Sequence, residues 1–342
     1  MSWYIEAGPD SDVIISSRVR LARNLSRYPF PHRMDIQQAR QAAEEIVQAF
    51  YLDDAERKRH YLLVDLDTLS REDGLALAEK RLISEDLASA GQNHKAIISR
   101  DETVSIMINE EDHIRIQSMQ AGLRLEQAYE AAAQAALVLE QTLSLAYSDK
   151  YGFLTACPTN TGTGMRASVM AHLLALTMTG KIKNTIDGLI KLGFTVRGHY
   201  GEHSKSQGNL FQISNQLTLG ISEEDLINDL KRMLQQLIEQ ERDIRREVYR
   251  RQPIVLEDKI MRAFGVLKSA RLISNEEAAG LLSDLRLGLA LGLLSGLQET
   301  DINRLYAAIG PASIQKAHGQ AMSSEERDQA RAKVIRGLLE HT

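Results

Sequence analysis

Two periods of apolar residues divide the chain. Residues 13–20 alternate with period two, setting Val13, Ile15, Ser17 and Val19 on one face of a strand and Ile14, Ser16, Arg18 and Arg20 on the other. Two arginines therefore project side by side. Beyond Pro29 and Pro31 a helical pattern covers about residues 35–50, followed by a short apolar strand over 61–64 and a helical pattern through Leu75, Leu77, Leu82 and Ile83. Residues 95–99 and 104–117 read as two strands of a hairpin turning at Asp101 and Glu102, which suits an antiparallel sheet. Residues 122–147 then form a long helix rich in Ala and Leu.

The next stretch is polar. Residues 151–156 suit a short strand and 167–176 a helix, so Cys157-Pro158-Thr159-Asn160-Thr161-Gly162-Thr163-Gly164-Met165-Arg166 is expected at a strand-to-helix junction, where free helix N–H groups hold anions. Pro158 fixes the exit from the strand, and Gly162 and Gly164 allow positive φ and close backbone approach. The plainer alternative is a connector with a buried thiol. A helix over 181–192 ends at Gly193, and a strand over 194–200 turns Thr195, Arg197 and His199 to one side. The polar, Gly-bounded loop 201–208 is long enough to act as a lid, and a strand over 211–218 follows it. Ser222, with Asp225 three residues on, starts a helix with a long apolar face to about residue 249. Gln252-Pro253 marks a boundary, beyond which every pattern is helical: 256–267, a segment capped at Ser274, the Leu-rich 281–294, and a last helix from 323. The expected fold class is α+β: an antiparallel sheet flanked by helices over 1–252, then an all-helical domain over 253–342.

With 342 residues the chain exceeds a usual single domain, and 43% hydrophobic residues suffice for a full core. A formal net charge of -5 argues against a general nucleic-acid surface, so any anion site must be a local arginine cluster. No apolar window is long enough for a membrane span, and the first residues do not read as a signal peptide, which points to the cytoplasm. One cysteine excludes an internal disulfide, so Cys157 matters as a thiol or not at all.

Within 104–117, Asn109-Glu110-Glu111-Asp112-His113 interrupts the apolar alternation. If extension continues, Glu111, His113, Arg115 and Gln117 share one face; otherwise the segment is a solvated turn. Walker and protein-kinase motifs are absent, since Gly180-Lys181 is followed by Ile182. His199 and His203 flank Glu202 at a metal-like spacing, but Gly201 opposes the helix this would need, so no metal ligands are assigned. Arg18, Arg20, Arg115, Arg166 and Arg197 remain, on strands or loops that also carry Glu111, Glu202 and Cys157. Isolated arginines are ordinary surface residues. Gathered together, guanidinium forks of this number suit a polyphosphate.

Ser17-Arg18-Val19-Arg20, Asn109-Glu110-Glu111-Asp112-His113-Ile114-Arg115, Cys157-Pro158-Thr159-Asn160 with Gly162-Thr163-Gly164 and Arg166, and Arg197 before Gly201-Glu202-His203 resemble the phosphagen (guanidino) kinase superfamily over about residues 12–250. Two features resemble one branch, the bacterial protein-arginine kinases of the McsB type. The chain starts only a few residues before the Arg18 strand, so the N-terminal helical domain of the small-molecule enzymes is expected to be missing. Arg327-Asp328-Gln329-Ala330-Arg331-Ala332 resembles that branch's phosphoarginine-binding signature.

The resemblance implies ATP as phosphoryl donor, held by Arg18, Arg20, Arg115, Arg166 and Arg197, with Mg2+ bridging the phosphates. It implies Glu111 and Glu202 gripping the substrate guanidinium beside Cys157, and phosphoarginine held by Arg327, Asp328 and Arg331. Proteins with exposed arginines are the implied substrates. An activator protein, a protease or chaperone machinery of protein quality control, a role in stress response, and self-association through the last domain are implied with them. Lys205 in place of the usual acidic residue, and Thr161 in place of an apolar one, depart from the family. A kinase for free arginine or another small guanidine, and a non-catalytic phosphoarginine-binding adaptor, remain as alternatives.

Overall fold

The computed structural model describes residues 2–52, 54–89, 93–198, 207–319 and 321–340. Its strands are β1 (Ile14–Arg23), β2 (Tyr61–Asp65), β3 (Lys95–Ser99), β4 (Val104–Ile108), β5 (Ile114–Ala121), β6 (Tyr147–Ser148), β7 (Gly152–Phe153), β8 (Met165–His172), β9 (Phe194–Gly198) and β10 (Leu210–Asn215). Eight of them form one sheet in the order β2-β3-β4-β5-β1-β8-β10-β9. Each neighbouring pair is antiparallel. β6 and β7 pair separately.

Alternation decides which face each side chain takes. Val19 and Leu21 of β1, Ile106 and Ile108 of β4, Ile114 and Ile116 of β5, Met165, Ala167, Val169 and Ala171 of β8 and Ile213 of β10 point into one buried core. Helices Ile36–Tyr51, Leu125–Glu140 and Glu223–Arg251 supply its other side. Ile14 joins this core as well, contrary to the strict alternation expected over 13–20, because the β1–β8 register shifts between Ile14 and Ser16. The bulge leaves Ile15, Ser16 and Arg18 on the opposite face.

That opposite face is only partly covered. Helices Arg71–Glu79 and Glu85–Ser89 pack over its β3–β4 end around Leu82, Ile83, Leu87 and Met107. The C-terminal part is all-helical, as expected, with its own apolar cluster around Leu267, Leu282, Leu285, Ile302 and Ile335. Helices Glu299–Ala308 and Pro311–His318 are additions to the elements read from the sequence. His172 of β8 bonds to Ser283 Oγ at 2.7 Å, and Asn209 Nδ2 donates to the same oxygen at 2.9 Å, so polar pairs as well as apolar contacts seat these helices on the sheet. Among the described residues no helix is long and apolar enough to cross a membrane.

Two expectations are corrected. Residues 165–172 form a central strand, not the start of a helix, so the 157–166 stretch leads into the sheet and offers no helix N-terminus. Pairing with β1 and β10 on both sides overrides the helix preference of its alanine and methionine. Residues 104–117 are two strands, and 109–113 is the turn between them, with Asn109 at φ 59.

Candidate active site

The open face of the sheet carries the arginines. Arg18 and Arg20 lie two residues apart on β1; Arg166 of β8 is directly opposite Arg20, and Arg115 of β5 is opposite Ala22. Arg197 of β9 pairs with Gln212, whose other neighbour is Met170 of β8. Because directly paired residues share a face, all five guanidinium groups belong to one surface. Burial, then the charges of Arg81, Arg115, Arg166 and Arg197, push the Arg18 pKa down to about 9. Arg20 is likewise lowered, first by burial and then by Arg18, Arg115 and Arg166. A half-buried surface that crowds like charges in this way is poised for a polyanion.

Partners position individual forks. Arg166 donates through Nε and Nη2 to Ser214 Oγ at 3.2 and 3.1 Å. Arg115 is held by two carboxylates: Glu110, which also accepts from Ser84 Oγ at 2.8 Å, and Glu111, at 3.1 Å from Nη2. Glu111 thus meets Arg115 from a turn and not from a shared strand face. Burial raises the Glu111 pKa, with Arg115 acting against it.

The turn is tied to the cysteine loop through buried Asp112. Its Oδ1 accepts from Asn24 Nδ2 at 2.6 Å and from the Ala156 N–H at 2.7 Å, one residue before Cys157. Asn24 completes the link by accepting from the His113 N–H at 2.9 Å. His113 is buried, which lowers its pKa to about 4, so it is neutral near pH 7 and its Nδ1 accepts from Leu25 N–H. The ends of β1, β4, β5 and β7 are thereby fixed relative to one another.

Cys157 itself is partly exposed, with Sγ 3.0 Å from Thr159 Oγ1. It precedes a single three-residue turn, Pro158–Asn160, so the helix N-terminus expected after it to hold an anion is not there. Gly162 (φ 117) and Gly164 (φ 65) do meet the demand read from the sequence. A Cβ on Gly162 would lie 2.2 Å from Thr218 O, and one on Gly164 would lie 2.6 Å from Ala22 O. Glu202, Lys205, His199 and His203 lie outside the described residues.

Beside the arginines is a largely apolar cavity of about 200 Å³, formed by Ser16, Arg18, Met119 and Met170 of the sheet and closed by Tyr306 and Ile309 of the C-terminal helices. Two participants were missed from the sequence. Arg81 lines the cavity and bears on Arg18, but it sits at the end of a helix that reads as scaffold. Glu110 is buried against Arg115; its adjacency to Glu111 was the available signal.

The proposed phosphoarginine residues divide. Arg327 Nη1 reaches Gln315 Oε1 at 2.9 Å near the surface. Arg331 is buried, donating to Ile309 O at 2.7 Å and Ile273 O at 2.9 Å and pairing with Asp328. Arg331→Ala should therefore lower unfolding stability by about 3 kcal/mol, since it strands two carbonyls and opens a void. Arg327→Ala should stay within about 0.5 kcal/mol of the parent. Thermal unfolding of both variants checks this, and equal losses would contradict the assignment.

An antiparallel sheet bearing a guanidinium surface with carboxylates and a thiol at its rim defines a class, the ATP:guanido phosphotransferases. The model of that family's C-terminal catalytic domain matches residues 41–244. Solved relatives agree in fold: the duplicated taurocyamine kinase of Schistosoma mansoni, in a structure with bound transition-state-analogue components, is 29% identical with TM-score 0.60. The match covers 68% of this chain and 33% of that one. Lombricine kinase, at 24% identity and TM-score 0.60, covers 69% of this chain and 67% of its own. Within the class, the chain belongs to the protein-arginine kinase family. The model of the protein-arginine kinase McsB C-terminal domain matches residues 253–342. The protein-arginine kinase of Pelotomaculum thermopropionicum is 44% identical over 98% of this chain and 94% of that protein. That of Clostridium tetani is 42% identical over 100% and 99%. Membership carries the use of ATP.

Proposed function

We propose that this chain transfers the γ-phosphoryl group of ATP to arginine side chains of proteins. The observation that carries the reading is Glu111 at the edge of the five-arginine surface, bound to one of its members. Arg18, Arg20, Arg115, Arg166 and Arg197 hold the phosphates, and the cavity between Met119, Met170 and Tyr306 takes the base. Mg2+, when bound with the nucleotide, would supply charge neutralisation beside the phosphates that these arginines hold.

A guanidinium is a poor nucleophile while protonated, with a pKa above about 12. Glu111, joined by Glu202, orients the acceptor and takes its proton as the N–P bond forms and the γ-phosphorus separates from the β–γ bridging oxygen, which leaves on ADP. The Arg115–Glu111 pair suits this exchange: phosphate draws Arg115 away, and the substrate guanidinium replaces it on Glu111. Cys157 lies on the loop tied to the same turn and contributes polarity beside the acceptor.

We divide the chain at Gln252 into a catalytic part and a helical part that binds phosphoarginine and self-associates. Exposed Ile254 (78%), Val255 (64%) and Met261 (53%) on one helix favour self-association. Work in cytoplasmic protein quality control and stress response, with an activator and a protease or chaperone partner, completes the proposal on family grounds. Incubation with magnesium-ATP, an unfolded protein and free arginine tests it. Acid-labile phosphate on the protein is expected, and label on free arginine alone would overturn the reading.

A further inference from the structure

The acceptor end of the sheet is bordered by apolar side chains that no part of the phosphotransfer reading uses. Leu217 is 66% exposed, Leu219 53% and Leu192 68%. Single exposed leucines are ordinary, but these are neighbours. Gln216 N–H donates to Gly193 O at 3.1 Å, which sets the Leu192 segment against the Leu217 segment. Thr218, between the two leucines, is buried and donates to Thr159 O at 2.9 Å and Thr161 O at 2.7 Å. Its inward anchor turns both leucines outward. Leu219 also packs against the cysteine loop: a Cβ on Gly162 would lie 2.8 Å from its Cα. The apolar border is therefore continuous with the loop that carries Cys157 and leads to Arg166.

We propose that Leu192, Leu217 and Leu219 bind the polypeptide flanking the acceptor arginine and favour apolar residues near it in sequence. This rests on the protein-arginine kinase reading. The occupant follows from position: an acceptor side chain reaching Glu111 and the Cys157 loop brings its own backbone to this edge, whereas the candidate self-association face lies on the Pro253–Ser269 helix.

The test uses the full chain and two peptides, each with one arginine, flanked by leucines in one and by serines in the other, with kcat and KM measured for both. The parent should favour the leucine peptide by about tenfold in KM at similar kcat, the size expected for burying one apolar side chain. Leu217→Ser with Leu219→Ser should abolish the preference while leaving the serine peptide and the KM for ATP unchanged. Equal KM values in the parent, or a preference retained in the double variant, would overturn the proposal alone. A change of oligomer mass in the variant with the preference intact would also overturn it, by assigning the patch to a second copy. No transfer to either peptide would overturn the kinase reading, and this proposal with it.

Discussion

Glu111→Gln should lower kcat by about three orders of magnitude while ATP still binds, because the amide keeps the shape of the side chain and cannot accept the guanidinium proton. Binding of ATP should hold or tighten, since the neutral side chain weakens one of the two carboxylate contacts on Arg115, now 3.1 Å away, and leaves only Glu110 competing with the phosphates for it. The pH profile separates this role from a structural one. Burial raises the Glu111 pKa above the usual carboxylate value. Protonation removes the base, so the parent's rate should fall as pH drops through that raised pKa, and this acid limb should vanish in the variant. Steady-state kinetics across pH with calorimetric ATP binding decide the matter. Near-normal kcat in the variant would remove Glu111 as base.

The second large effect belongs to Arg20. Arg20→Ala should cost roughly a thousandfold in kcat/KM for ATP, as expected when a guanidinium that neutralises a transferring phosphoryl group is lost. Its effect on stability should run the other way. Arg20 is disfavoured in its charged form by burial and by Arg18, Arg115 and Arg166, with Glu110 opposing. Guanidinium keeps its proton at neutral pH, so the nucleotide-free protein carries this repulsion as a cost. The ligand-free variant should unfold at the same or a higher temperature than the parent, yet gain far less on adding ATP. Thermal shifts with and without nucleotide measure both. An ATP-induced shift equal to the parent's would show that Arg20 does not hold phosphate.

Only part of this site was legible in the residues. The β1 arginines were, because a two-residue period sends Arg18 and Arg20 to one face whatever the neighbouring strands do. Their convergence with Arg115 and Arg166 was legible only through the family resemblance: it depends on cross-strand register, which alternation within a strand cannot supply. The strand β8 was misread as helix because Ala167, Met170 and Ala171 favour helix locally, while the decision was made by two flanking strands distant in sequence. Residues 109–113 offered both a strand and a turn; positive φ at Asn109 belongs to the turn. At the other end, the spacing of Arg327 and Arg331 placed them on one helix face, but only packing against Ile273 and Ile309 reveals that Arg331 supports the structure from within.

The most direct test of the whole account is the chemical identity of the product. Full-length protein, magnesium-ATP and an unfolded polypeptide should give phosphate bonded to arginine nitrogen, localised by mass spectrometry under neutral conditions and lost in acid, with Glu111→Gln giving almost none. Phosphate on serine, threonine or tyrosine, or no transfer to the polypeptide at all, would contradict it.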